Sequence, residues 1–158
     1  MSERPAPPSR LPWPPMIYLA AVALAIVLQW LWPLPWIGPP LADLLFALGW
    51  LMVLAALALD FGAMRTMRKA QTTILPNRAA DHLVTGGPFA LSRNPIYLGN
   101  TTLMVAIGFI VGSLWFVVLA PVAAILTTFL AIRPEERHLA ERFGKRYRDY
   151  QKKVRRWF

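Results

Sequence analysis

Residues 96–132 read IYLGNTTLMVAIGFIVGSLWFVVLAPVAAILTTFLAI, and the way this stretch divides decides the fold. It carries no charged side chain and splits at Gly112-Ser113 into two apolar runs, Ile96 to Val111 and Leu114 to Ile132. A helix that crosses a bilayer needs about 20 mostly apolar residues. The second run meets that length and the first falls short. A connection as tight as Gly112-Ser113 joins only antiparallel neighbours. Toward the N-terminus lie two further runs, Met16 to Trp32 and Leu41 to Leu59, joined by Pro33 to Pro40 with Trp30, Trp32 and Trp36 around the turn. Pro and Trp in that mixture suit a membrane interface, whereas a cleaved signal peptide would end in small residues. The reading is an all-α polytopic membrane protein of four spans, paired as two antiparallel hairpins.

Composition agrees: 56% of the 158 residues are hydrophobic, too many for an ordinary soluble domain of this size. The expected layout is a Pro- and Ser-rich disordered lead over residues 1–15, then one domain over residues 16–158. Within it the spans cover about 16–32, 41–59, 96–111 and 114–132, with a loop at 60–95 and a tail at 133–158. Gly108 and Gly112 form a small-xxx-small pair for helix packing, and Pro121 is expected to kink the fourth helix.

The net charge of +9 is explained by topology more simply than by nucleic acid. Arg4 and Arg10 precede the first span; Arg65, Arg68, Lys69, Arg78 and Arg93 separate the second from the third; the other basic residues all follow the fourth, from Arg133 onward. The connections on the opposite side hold none. The positive-inside rule therefore makes both termini cytoplasmic, in what is expected to be the cell inner membrane. The tail Lys152-Lys153-Val154-Arg155-Arg156 reads as an orientation and anionic-lipid signal, and no nucleic-acid partner is expected. Leu139, Phe143, Tyr147, Tyr150 and Val154 recur at helical spacing among Lys and Arg, the pattern of an amphipathic interfacial helix that Gly144 interrupts. With no cysteine, thiolate chemistry and disulfides are excluded, and His82 and His138 lack metal-ligand spacing, so no metal is expected.

Charge inside a span would point to transport, but Asp43 and Asp60 fall near the ends of the second run and the span middles hold none. Polar groups gather instead at the entry to span three, Ser92-Arg93-Asn94-Pro95-Ile96-Tyr97, and at the exit from span four, Arg133-Pro134-Glu135-Glu136-Arg137-His138. The hairpin brings these two ends to one membrane face. Together they offer carboxylates and guanidinium groups to a zwitterionic ligand with an extra positive charge. The plainer reading is a solvated anchor, in which Glu135 and Glu136 pair with nearby Arg for about 0 to 1 kcal/mol each.

The run Leu83-Val84-Thr85-Gly86-Gly87-Pro88-Phe89, then Ser92 to Gly99, then Glu135-Glu136 with Phe143-Gly144 and Tyr147-x-x-Tyr150, resembles the isoprenylcysteine carboxyl methyltransferase family and the related phospholipid methyltransferases. The resemblance covers Leu83 to Phe158. It implies an integral membrane enzyme that binds S-adenosylmethionine in a cytoplasm-facing pocket built by the last two spans and their flanks. It further implies that Leu83, Val84, Phe89, Asn94, Pro95, Ile96, Tyr97 and Glu135 line the cofactor site, with His82 at its edge and Glu136 beside it. Eukaryotic members have His after the Arg where this chain has Asn94, an amide that donates and accepts but cannot act as a general base.

Methyl transfer from a sulfonium is an in-line displacement by an already activated donor, so alignment and water exclusion carry most of the catalysis. Arg93 and Arg133 are candidates to orient the acceptor alongside Glu136. An amine or thiol acceptor needs a route for proton loss, for which His82 and His138 are candidates. There is no Gly-x-Gly-x-x-Gly, so a soluble Rossmann-type site is not indicated. The expected partners are the bilayer and a small or lipophilic methyl acceptor. A non-catalytic scaffold or lipid-binding module that keeps the family fold is the alternative.

Overall fold

The computed structural model describes residues 13–70 and 82–158, and these are helical throughout apart from short connections. The lead before Trp13, with Arg4 and Arg10, and the loop segment containing Arg78 lie outside the described residues. Helix α1 spans Trp13–Leu31, α2 Leu41–Lys69, α3 Pro95–Val111, α4 Leu114–Thr127, α5 Arg133–Phe143 and α6 Lys145–Lys153. A 3-10 turn, Gly87–Ala90, precedes α3, and a π-helical turn, Thr128–Ile132, fuses α4 to α5. By length and composition three helices suffice to cross a membrane, Pro14–Leu31, Leu41–Lys69 and the continuous Leu114–Phe143, and α3 is a shorter apolar helix. Their outward faces are apolar, as lipid contact requires: Leu19, Leu44, Leu51, Leu54 and Phe61 are all exposed.

Consecutive spans are antiparallel, but the first two are not side by side. α2 packs along α3, α3 along α4, and α1 closes on α4, with α1 touching α3 only lightly. The core of this row is Tyr18 and Ala25 from α1, Met104 from α3, and Phe116, Ala120 and Ala123 from α4. Two polar clasps pin α1. Near its start the Tyr18 hydroxyl meets Thr101 Oγ1 at 2.6 Å, and near its end Gln29 Oε1 accepts from Ser113 Oγ at 2.7 Å. Gly112 ends α3 in the left-handed conformation, φ +67, with Trp36 of the α1–α2 connection packed over it.

Two expected boundaries shift. α2 does not stop at Leu59 but continues to Lys69, so the expected loop at 60–95 begins later. Ala63, Met64, Arg65, Met67 and Arg68 are all good helix formers, and Arg68 and Lys69 in the last turn complement the helix dipole. The fourth span likewise continues past Ile132. Pro134 would ordinarily break a helix, because its ring meets the carbonyl four residues back. The π turn accommodates it: the Arg133 N–H bonds to Thr128 O, one residue further back than in an α-helix.

The expected amphipathic tail is two helices, broken at Gly144, whose φ of +53 with ψ −122 is open only to glycine. The aromatic face of α6 turns inward, with Tyr147 only 2% exposed, and its Lys and Arg face out.

The closest packing is α2 against α3. Gly49, Ala56 and Ala63 repeat every seven residues along the buried face of α2. A Cβ on Gly49 would lie 2.8 Å from Ile110 Cγ1 and 3.0 Å from the Ala106 carbonyl. Gly49→Leu is therefore expected to destabilise the protein by about 1–3 kcal/mol. Unfolding in detergent micelles measures this, and the loss should exceed that from the same change at exposed Gly38, where a Cβ meets nothing within 4 Å.

Candidate functional site

The chain enters α3 through a turn that the sequence builds locally. Ser92 is fully buried, and its Oγ accepts the Asn94 N–H at 3.1 Å, a serine turn that leaves Pro95 as the first helical residue. The C-terminal segment after α6 lies against this turn. Arg93 N–H donates to Arg155 O at 3.0 Å, and the Ser92 hydroxyl and Asn94 Nδ2 both donate to Arg156 O, at 3.2 and 2.9 Å.

That return places a second arginine on Glu136. Arg156 grips the carboxylate with both ends, Nε to Oε1 at 3.0 Å and Nη2 to Oε2 at 2.7 Å, while Arg93 Nη2 reaches Oε1 at 3.2 Å. The side chains of Glu136 and Arg93 are each only 11% exposed. Burying a carboxylate is costly unless it is fully paired, and here two guanidinium groups leave the cluster with one net positive charge. The hydrogen bond to Glu136 raises the Arg156 pKa further, so this guanidinium stays charged. Arg93 Nε is buried without a partner.

Next to this cluster is a small, half-open cleft of about 70 Å³. His82, Leu83, Val84 and Phe89 form one wall, Arg93 and Asn94 the entry to α3, and Glu135, Glu136 and Leu139 the α5 side. Met67 of α2 and Tyr147 and Tyr150 of α6 complete it. The wall is braced on both sides. Gly87 and Pro88 of the 3-10 turn sit against Thr66 and Gly62 of α2, and the Tyr150 hydroxyl donates to Phe89 O at 2.5 Å. Burial pushes the Tyr150 phenol up to about 12 although the Arg93 charge opposes it. Tyr147 is raised by burial and then by the Glu136 carboxylate, so both tyrosines remain neutral.

Of the residues singled out from sequence, His82, Leu83, Val84, Phe89, Arg93, Asn94, Glu135 and Glu136 meet at the cleft. Tyr97 stands behind it, its hydroxyl donating to Glu135 Oε2 at 3.3 Å. Pro95 is buried beneath, and Ile96 is half-buried outside the lining. Arg133 is not brought in: its guanidinium stacks on Phe129, 4.1 Å from the ring centre. His138 is also outside the lining, with Nε2 buried and lacking a hydrogen-bond partner. Sequence reasoning missed Met67, Leu139 and, above all, Arg156. Met67 stood in what reads as a loop, and Arg156 in a basic run that reads as lipid-facing. Among the described residues no three His, Asp or Glu come together as a metal site.

The fold and cleft define a class: a small polytopic helical membrane protein with a charged, partly apolar cleft at the basic end of its spans. A family model for phospholipid methyltransferase matches residues 44–146, most of the chain, and the protein belongs to that family of membrane methyltransferases. Comparison with curated proteins and with solved structures gives no match.

Truncation after Val154 removes both carbonyls that hold the α3 entry. Hydrogen exchange at the Arg93 amide is expected to accelerate in that variant while the Met104 amide, in the core of α3, stays protected.

Proposed function

We propose that this protein transfers a methyl group from S-adenosylmethionine to the headgroup of a phospholipid or another lipophilic acceptor. In this reading the protein sits in the cell inner membrane with the cleft and both termini facing the cytoplasm, an orientation that the one-sided placement of Arg and Lys supports. The observation that carries the reading is the cleft itself, where Glu135, backed by Tyr97, faces the apolar wall of Leu83, Val84 and Phe89 in a chain of this family.

The residues present fit the cofactor. Its adenine suits the apolar wall, and its amino and hydroxyl groups suit Glu135 and the Asn94 amide. Its carboxylate suits the Arg93 guanidinium, which keeps one buried N–H, at Nε, without a partner. When bound, S-adenosylmethionine supplies a methyl group already activated by its sulfonium. The chain's own part is to hold, align and dry the site. Glu136 fixes Arg93 in the wall, leaving Glu135 as the ligand-facing carboxylate. Phe89, Leu139 and Tyr147 exclude water, and displacement of a sulfonium needs no acid to assist the leaving group.

Glu135→Gln and Tyr97→Phe are expected to weaken S-adenosylmethionine binding, Glu135→Gln by about 10- to 100-fold, the worth of a hydrogen bond to a charged group. Calorimetry on the purified protein tests this. Unchanged affinity in both variants removes the site, and no binding by the wild type at millimolar cofactor favours the scaffold reading.

A further inference from the structure

Among the described residues, Asp60 is the one acid with a buried carboxylate oxygen that lacks a hydrogen-bond partner. Glu136 is held by Arg93 and Arg156, Glu135 takes the Tyr97 hydroxyl, and Asp149 faces Lys152. Asp60 is half-buried on α2, and its Oδ1 is enclosed with no hydrogen-bond partner. The room for it comes from α3. A Cβ on Gly99 would run into the Asp60 carboxylate and lie 3.2 Å from the Ala56 carbonyl, so glycine at that position makes the niche.

Among the described residues, nothing on the facing elements neutralises it. α3 contains no charged residue, and Tyr97 is its one titratable side chain. The 3-10 turn Gly87–Ala90 has none. On α2 itself the nearest cation, Arg65, is exposed more than one turn further on. A carboxylate kept bare at the edge of an apolar seam is costly, and such residues mark sites where a cation or proton is received.

Its depth fits a headgroup. Asp60 is the twentieth residue of α2, about 29 Å from Leu41 at 1.5 Å per residue, which is close to the thickness of the hydrocarbon core. Along α3, Gly99 lies about 7–8 Å beyond Asn94 of the cleft; along α2, Met67 is about 10 Å further on. An acceptor rising from the bilayer over the outer edge of the close-packed α2–α3 pair meets Asp60 before the donor cleft.

We propose that Asp60 is the acceptor-side carboxylate, which receives the ammonium of an amine headgroup and takes its proton. This rests on the methyltransferase reading above. An ammonium has no lone pair, so it must lose one proton before it attacks. That proton passes to the Asp60 carboxylate, an N–CH₃ bond forms as the sulfonium S–CH₃ bond breaks, and sulfur keeps the electron pair as a neutral thioether. Asn at position 60 preserves size and polarity but accepts no proton.

The test uses the full chain in nanodiscs of phosphatidylglycerol with or without phosphatidylethanolamine, comparing wild type with Asp60→Asn and Asp60→Ala. Donor affinity, read by calorimetry, should stay within about twofold in both variants, which establishes that the cleft is intact. Label transfer to the amine lipid at neutral pH should fall by about 10²–10⁴-fold in Asp60→Asn. It should then recover about tenfold per pH unit toward the amine's own pKa, near 10 for an alkylammonium, while the wild type stays flatter. Wild-type transfer and pH profile in Asp60→Asn overturn the proposal, as does loss of donor binding in both variants, which would make Asp60 structural. Label on phosphatidylglycerol alone in the wild type also overturns it. A wild type that neither binds donor nor transfers label fails the methyltransferase reading first, and this inference with it.

Discussion

The Glu136 carboxylate must be neutralised where it lies, and much of the basic end follows from that. A half-satisfied buried charge costs several kcal/mol, so both guanidinium groups have to arrive. Arg93 comes from the turn before α3, Arg156 from the last residues of the chain, and Glu136 from the helix that extends the fourth span. Bringing them together fixes the α3 entry, folds the C-terminal segment back and orients the first turn of α5. Glu135, one position earlier, is thereby turned toward the cleft with Tyr97 behind it.

The π turn supports the same arrangement. One extra residue in a helical turn rotates everything beyond it by about 100°. Thr127, Ala131 and Ile132 keep their buried positions in the span while α5 begins in a different phase. Pro134 makes a regular helix costly at this point. The side chain that forbids the simpler geometry thus helps set the direction in which the two acids point.

Much of this was legible in the chain. Four apolar runs, their tight connections and the one-sided placement of Arg and Lys give the class of fold, because hydrocarbon leaves few other solutions. The wall residues Leu83, Val84 and Phe89, with Asn94 and Glu135, were legible through family resemblance. The length of α2 was not: Asp60 looks like the end of a hydrophobic run, and the room that Gly99 leaves for its side chain has no sequence signature. The neighbour relations were not legible either. Short loops say which spans are antiparallel, but α1 chooses α4 over α2 by packing Tyr18 and Ala25 on Phe116, Ala120 and Ala123 and by bonding Gln29 to Ser113 at the start of α4, matches no periodicity reveals. Arg156 was hidden for a different reason. A basic tail has a sufficient explanation in lipid electrostatics, and its backbone carbonyls, which do the docking, have no sequence signature.

The row in which α1 rests on α4 and α2 on α3 bears on biosynthesis. α1 and α2 leave the ribosome before α3 and α4, on which their main packing surfaces lie, so each must reside in lipid as an independent helix until the second hairpin follows. Their strong apolarity then serves insertion as well as the finished structure. Lateral assembly becomes a late event, in which the second hairpin arrives as a wedge and captures both waiting helices.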